Sequence, residues 1–256
     1  MKQSIRRNLV FSLLTALLWT VVVRSADRDA LLHIVQDQCL PHWREQHDPA
    51  PCERIVPPDF ALLADRKGGA HLLLIPTQTI TGIEDPVLLH AGTPNYFAAA
   101  WQARDRLAAT LGHPLRREFI GLAINSALAR GQDQLHIHIE CLQPRLYRAL
   151  QGLAASIGDQ WAPLPSAEFP YLARRIRDQD LAHTDPFALL ANGVDGARTA
   201  MAEYTIVVAG RDFPEGPGFI ELSGRTPTRV ELLGPLPPGR VPPGETMLDG
   251  SCAIDR

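Results

Sequence analysis

The sequence predicts an α+β protein with an antiparallel sheet and flanking helices. Short apolar runs bounded by turn residues indicate β-hairpins, and segments with helical spacing lie between them without the strict alternation of a parallel α/β protein. The 256 residues, 45% of them hydrophobic, suffice for a substantial core. The formal net charge is −3 and contains no large block of like charge, so we expect no nucleic-acid partner.

The N-terminal segment has the pattern of an export signal or a membrane anchor. Lys2, Arg6 and Arg7 precede an apolar run over residues 9–23, and charged residues follow from Arg24. The run is shorter than the roughly 20 residues of a full span and lacks a clear Ala-x-Ala site, so cleavage stays open and an uncleaved anchor is favoured. We expect residues 1–26 to be this segment and residues 27–256 to form one domain beyond the membrane.

The four cysteines form an even set, which fits an oxidising compartment. Four cysteines allow three pairings. We favour the local pair Cys39–Cys52, which leaves Cys141 for Cys252 in the C-terminal tail. No C-x-x-C pair is present, which disfavours a metal knuckle or a redox motif.

The predicted elements follow one another along the chain. DRDALLHIVQDQC has helical spacing, FALLAD and AHLLLIP are the strands of a hairpin, and Thr93-Pro94 begins a helix that Gly112 ends. EFIGLAIN and QLHIHIEC are the next strands, and Pro144 begins another helix. In the second half EYTIVVAG, GFIEL and TRVELLG predict a further antiparallel set, so two pseudo-symmetric halves are compatible with the pattern.

The strand QLHIHIEC carries an unusual polar face. Side chains alternate along a strand, so Gln134, His136, His138 and Glu140 share one face and apolar side chains the other. A solvent-exposed polar face explains this pattern as well as a functional site does.

The residues before this strand favour a functional site. Asn125 ends the preceding strand, and Gly131, Gln132 and Asp133 form the turn between the two strands. Glycine permits a close backbone approach, and amide side chains with turn N–H groups suit phosphate oxygens. We therefore expect these residues and the two histidines to surround one small concavity.

The pattern Asn, Gly-Gln and His-x-His-x-Glu resembles the histidine triad superfamily, with Glu140 in place of the last histidine. Together with APC, LLIPTQTITGIEDP, TPNYFAAAWQARD, LAINSALARGQDQLHIHIECLQP, WAPLP and YLARRI, it is similar to the bacterial CDP-diacylglycerol pyrophosphatases. The resemblance implies a histidine triad-like hydrolase domain over residues 27–256 and hydrolysis of CDP-diacylglycerol to CMP and phosphatidate. It also implies that the domain needs no cofactor and faces the periplasm from a single-pass anchor in the inner membrane.

The resemblance further implies roles for single residues. His138 would be the nucleophile that attacks the α-phosphorus and forms a nucleotidyl-histidine, and His136 would orient the site and bind phosphate. Asn125 would fix the nucleophile's loop. Gln132 and the turn N–H groups near Asp133 would contact phosphate oxygens. Glu140 departs from the triad pattern, and three roles stay open: it holds the imidazole of His138, accepts a hydrogen bond from His136, or is a surface residue.

Two other functions stay open. His136, His138 and Glu140 could form a facial metal site of a metal-dependent hydrolase, although a fourth ligand is not obvious. A non-catalytic nucleotide- or lipid-binding protein is the second alternative. The isolated histidines, His71 among them, are interpreted as structural. The oligomeric state stays open between a pseudo-dimeric monomer and a homodimer.

Overall fold

The computed structural model describes residues 27–65, 68–227, 233–237 and 239–255. Among these residues, ten strands form one antiparallel sheet. The strands are β1 (Arg54–Val56), β2 (Phe60–Ala64), β3 (Leu72–Pro76), β4 (Ile120–Ile124), β5 (Ile137–Leu142), β6 (Ala162–Pro163), β7 (Leu172–Ile176), β8 (Tyr204–Phe213), β9 (Gly216–Arg225) and β10 (Leu248–Asp249). Their order is β1-β2-β3-β5-β4-β8-β9-β7-β6, and β10 pairs with β5. The predicted α+β class is confirmed.

Helices lie on both sides of this sheet. They are α1 (Ala30–His33), which continues through a π-helical segment (Ile34–Cys39) into α2 (Leu40–Gln46), α3 (Tyr96–Ala103), α4 (Asp105–Leu111), α5 (Pro144–Leu153) and α6 (Pro186–Gly193). Helix α3 begins after Asn95, whose side-chain oxygen accepts the N–H of Ala98, and not at the predicted Thr93-Pro94. Helix α4 ends as predicted at Gly112, which has the left-handed conformation.

The sheet carries apolar side chains on both faces, and the core consists of three clusters. One face packs against α3 and α6 through side chains such as Leu122, Ile137 and Phe219. The opposite face carries two separate clusters. One packs under α5 around Leu146 and Leu222, and the other lies between β2, β3 and the N-terminal helix. The space between these two clusters is where the polar residues of β5 lie.

Two disulfide bonds have the favoured pairing. Cys39–Cys52 ties the N-terminal helix to the segment before β1, and Cys141–Cys252 ties the C-terminal tail to β5. The predicted hairpin of β2 and β3 is confirmed, with Leu62 opposite Leu74. The predicted strand TRVELLG falls largely on residues outside the described ranges.

The predicted single-pass placement in the inner membrane is not supported and is corrected here. None of the helices in the described ranges is long and apolar enough to cross a bilayer. The segment 1–26, on which that prediction rested, lies outside the described residues.

Candidate functional site

The register of the sheet places His138 at the gap between two core clusters. His138 pairs with Leu73 on β3 and with Ala123 on β4, so these three side chains point to the same side of the sheet. Leu73 belongs to the cluster under the N-terminal helix, and Ala123 belongs to the cluster under α5. The histidine therefore lies on the floor of a cleft whose two walls are apolar.

The predicted polar face of β5 is buried and not solvent-exposed. Gln134, His136, His138 and Glu140 are all buried, and His138 is only 4% exposed. Gln134 has a structural role, because its side-chain amide donates hydrogen bonds to the carbonyl oxygens of Pro76 and Gln78. The strand itself begins at Ile137, so His136 lies just before the regular pairing.

One imidazole nitrogen of His138 faces a second histidine. Nδ1 of His138 lies 3.0 Å from Nε2 of His71, and the two rings stack with centroids 5.2 Å apart. Glu140 completes the group, because its Oε1 lies 2.9 Å from Nε2 of His71 and 3.8 Å from Nδ1 of His138. Asp65 lies on the far side of His71, 3.4 Å from Nδ1. Glu140 thus contacts the site chiefly through His71.

The other imidazole nitrogen of His138 faces a carboxylate from the C-terminal tail. Nε2 lies 3.5 Å from Oε2 of Glu245, whose side chain is 39% exposed. The backbone N–H of Glu245 donates to the side-chain oxygen of Asn125, 3.1 Å away. Asn125 therefore positions Glu245, whereas the resemblance implied a contact with the loop of the nucleophile.

The C-terminal tail is held against β5 at several points. Strand β10 pairs with β5 at Leu142 and Cys141, and the disulfide to Cys252 follows directly. Gly250 accepts the N–H of Ala70 and so joins the tail to the loop before β3. Gly69 has a φ of +76°, and a Cβ on it would come within 2.5 Å of the carbonyl oxygen of Gly250. This close approach encloses Glu140 and His71.

His136 is fixed in one orientation. Its Nδ1 donates to the carbonyl of Gln134 at 2.7 Å, which leaves Nε2 without the ring proton in the neutral form. Burial lowers the pKa of His136, and the hydrogen bond to Gln134 opposes this only in part. The ring stands edge-on to His138, with centroids 5.1 Å apart.

The turn residues Gln132 and Asp133 bind the N-terminal segment. Gln132 accepts the N–H of Leu31 and donates to the carbonyl of Asp27. Asp133 pairs with Arg28 and Arg130, whose hydrogen bonds hold the pKa of the carboxyl below its usual value, the one from Arg28 most strongly. The N–H of Asp133 donates to the carbonyl of Arg28. Of the two turn residues, Gln132 lines the cavity beside the histidines.

Two cavities meet at Glu245. The larger, about 640 Å³, is lined by His136, His138 and Gln132 and has an apolar wall that includes Leu31, Ile34, Leu63 and Leu73. The smaller, about 410 Å³, is lined by His71, Glu140 and Leu248. Glu245 lines both, so the site has room on either side of this carboxylate.

Sequence reasoning missed His71 and Glu245. His71 had been interpreted as structural because it stands alone in the sequence, and nothing nearby indicates a partner on β5. Glu245 follows a Pro-rich connection and has no motif of its own. The weak signals were the paired glycines before His71 and the cysteine that follows Glu245, since both features bring distant segments to β5.

The fold and the site together define an α+β protein with a buried histidine–carboxylate centre beside a cleft, an arrangement suited to nucleophilic or metal-assisted hydrolysis. A family model described as CDP-diacylglycerol pyrophosphatase matches residues 26–256. A CDP-diacylglycerol pyrophosphatase of Yersinia pestis is 46% identical over 189 residues, which cover 73% of this chain and 73% of that protein. The chain belongs to the CDP-diacylglycerol pyrophosphatase family.

Proposed function

We propose that this enzyme hydrolyses CDP-diacylglycerol in two steps, through a nucleotide covalently bound to Nε2 of His138. Family membership makes the chain a hydrolase whose substrate is CDP-diacylglycerol and whose products are CMP and phosphatidate. The observation that carries the mechanism is the environment of His138: Nδ1 faces His71 and Nε2 faces the side where the two cavities meet.

The first step needs a neutral imidazole with its proton on Nδ1. The carboxylate of Glu140, 3.8 Å from Nδ1 of His138, attracts the ring proton to that nitrogen, and Nε2 then presents its lone pair. The lone pair forms a bond to the α-phosphorus, and the bond from that phosphorus to the bridging oxygen breaks. Phosphatidate leaves with the electron pair, and CMP remains bound to Nε2.

The second step needs a water molecule and a base. Glu245 is the carboxylate nearest to Nε2, 3.5 Å away, and it is partly exposed, so water can reach it. Its carboxylate accepts a proton from the attacking water while the new oxygen–phosphorus bond forms and the phosphorus–nitrogen bond breaks. CMP leaves, His138 returns to its neutral form, and the proton passes from Glu245 to solvent.

His136 contributes phosphate binding. Its buried ring is neutral before substrate arrives because burial lowers its pKa. A phosphate group beside Nε2 counteracts this desolvation and favours uptake of a proton there, which creates a charge-assisted hydrogen bond. Gln132 lines the same cavity, and Asn125 and Asp133 act indirectly, by holding Glu245 and the N-terminal helix.

The fold of the family is, in our proposal, histidine triad-like with two pseudo-symmetric halves about the β4–β8 pair. Support comes from the sheet order, in which β5 lies beside β4 as β9 lies beside β8. On β9 the side chains that share the face of His138 are Ile220 and Leu222, so the second half offers no reactive group there. We therefore expect one site of this kind among the described residues of each chain, whether the chain is a monomer or a homodimer.

The direct test is CMP release from CDP-diacylglycerol in detergent micelles, measured with and without EDTA. We expect His138→Ala to reduce turnover by roughly 10³-fold or more, because it removes the nucleophile. His90→Ala, at an exposed histidine outside the site, is the matched control. Normal turnover of folded His138→Ala would refute the mechanism, and turnover that EDTA abolishes would favour the metal-dependent alternative.

A further inference from the structure

We propose that His71, His138 and Glu140 form a binding site for Zn²⁺, and that a zinc ion bound there switches the enzyme off. The second half of this proposal rests on the proposed role of His138 as the nucleophile. The site is distinct from the facial arrangement of His136, His138 and Glu140 that the sequence suggested, because His136 directs Nδ1 to the backbone of Gln134.

The separations of three ligand atoms carry the proposal. Nε2 of His71, Nδ1 of His138 and Oε1 of Glu140 lie 3.0, 2.9 and 3.8 Å apart in pairs. Two ligands of a tetrahedral zinc ion, each bonded at about 2.0–2.2 Å, are about 3.3–3.5 Å apart. Movements of a few tenths of an ångström, together with rotation of the two imidazole rings so that their lone pairs converge, therefore bring all three atoms to bonding distance of one ion. Two imidazoles and a carboxylate are a ligand set that Zn²⁺ uses widely.

Each histidine also has a carboxylate at its second ring nitrogen. Asp65 lies 3.4 Å from Nδ1 of His71, and Glu245 lies 3.5 Å from Nε2 of His138. Histidines that bind metal commonly donate their other N–H to a carboxylate in this way, which fixes the ring and increases its basicity. If His71 were only a hydrogen-bond partner of His138, it would not need a carboxylate such as Asp65 at its other ring nitrogen.

Burial and charge also fit a cation. His71, His138 and Glu140 are all buried, and three carboxylates surround the two imidazoles. A divalent cation would compensate this negative charge. The cavity of about 410 Å³ is lined by both His71 and Glu140, so it gives an ion a path to the site and leaves room for a water molecule as fourth ligand.

Zinc binding and nucleophilic attack require different tautomers of His138. A zinc ion on Nδ1 leaves the ring proton on Nε2, where it is donated to Glu245. The lone pair that would attack phosphorus is then absent. An ion at this site therefore inhibits by holding the wrong tautomer, without filling the larger cavity.

The first test measures binding without substrate. The protein is freed of metal with EDTA and titrated with Zn²⁺ against a chromophoric chelator, and with Co²⁺, whose visible spectrum reports tetrahedral geometry. We expect one ion per chain. Glu140→Gln should abolish tight binding, and Asp65→Asn should weaken it by about 10- to 100-fold. His33→Ala is the control, because His33 and Asp37 form an exposed pair that could bind zinc adventitiously. If the folded Glu140→Gln variant bound Zn²⁺ with the same affinity as the wild type, the proposed zinc site would be refuted.

The second test measures CMP release at fixed free Zn²⁺. We expect inhibition that EDTA reverses, with a half-inhibiting concentration that increases in Asp65→Asn by the same factor as the dissociation constant. Turnover that increases with bound zinc would overturn the inhibitory role. The proposed function is judged separately, by metal-free turnover of His138→Ala, so its failure would leave the zinc-binding half of the proposal standing, and a failure of zinc binding would leave the proposed function standing.

Discussion

At the scale of single residues, the site is defined by what lies at each end of the His138 ring. His71 and Glu140 lie at Nδ1, and Glu245 lies at Nε2. An imidazole with different neighbours at its two nitrogens has one favoured tautomer, which decides which nitrogen can attack. Glu140 lies nearer to His71 than to His138, so it contacts His138 mainly through His71.

Glu245→Gln should separate the two chemical steps. The amide cannot accept a proton from water, so we expect breakdown of the nucleotidyl-histidine to slow by about 10²-fold or more. A rapid-quench experiment should show a burst of phosphatidate, one per site, followed by slow CMP release. The isotopically labelled nucleotide should remain on the protein during this time.

Glu215→Gln is the matched control, because Glu215 is a surface glutamate of similar exposure that pairs with Arg175 and Arg177. The role of Glu245 would be excluded if the variant released CMP as fast as the wild type. Simultaneous release of both products in wild type and variant, without labelled protein, would argue instead against any covalent intermediate.

The polar residues in and just before β5 show how much of the site can be predicted from the sequence. His136, His138 and Glu140 were predicted from alternation and from the Asn and Gly-Gln context. The structure places His138 and Glu140 on one face of β5 and His136 just before the strand. Alternation does not reveal whether such a face is covered, so burial had to come from the structure. His71 and Glu245 could not be found, because their proximity to His138 depends on strand order and on the tail.

At the scale of elements, β9 contains a further buried acid, and its charge state affects the free energy of unfolding. Glu221 lies opposite Arg174 of β7 in the strand register and is fully buried. Burial raises the pKa of Glu221 well above its usual value, and the charge of Arg174 opposes this only in part. Asp185, which caps α6, adds to the increase, and burial raises the pKa of Asp185 itself to about 6.

The sign of the resulting pH dependence can be worked out. Where the pH lies between the unfolded value, about 4.3, and the raised folded pKa, the folded state binds more protons than the unfolded state, so stability decreases as pH rises. Glu221→Gln removes this titration. We expect its free energy of unfolding to exceed that of the wild type at pH 8 and the two to converge near pH 4, measured by urea denaturation. A constant difference between the proteins from pH 4 to pH 8 would contradict the assignment.

The segments that form strands and helices were easier to predict from the sequence than the order in which the strands pair in the sheet. The apolar runs predicted β2, β3, β4, β8 and β9, because a buried strand needs continuous or alternating apolar side chains. The start of α3 was placed too early, since Asn95 competes with Thr93 as a cap and only the hydrogen bond to Ala98 decides between them. The order of strands depends on contacts between distant segments, which local patterns do not encode.

At the scale of the whole molecule, the Cys141–Cys252 disulfide should couple stability to activity. It closes a loop with a sequence separation of 111 residues and holds the tail that carries Glu245. We expect the double variant Cys141→Ser/Cys252→Ser to lose about 2–5 kcal/mol of unfolding free energy. The Glu245-dependent step should also slow, at a temperature where the variant is still folded.

The Cys39–Cys52 pair, with a separation of 13 residues, provides the comparison. Its removal should lower stability with less effect on CMP release, because it holds the N-terminal helix and not the tail. Thermal unfolding and rapid-quench kinetics on both double variants would decide this. Equal kinetic effects of the two pairs would show that the tail disulfide has no special relation to the chemistry.

The order of translation decides when the parts of the site come together. The histidine strand is translated well before the segment that completes its surroundings, with Glu245, β10 and Cys252. Until that segment is made, the chain thus contains the proposed nucleophile without the proposed base. In the proposed mechanism such a chain could cleave at most one substrate molecule, and repeated turnover requires the C-terminal segment.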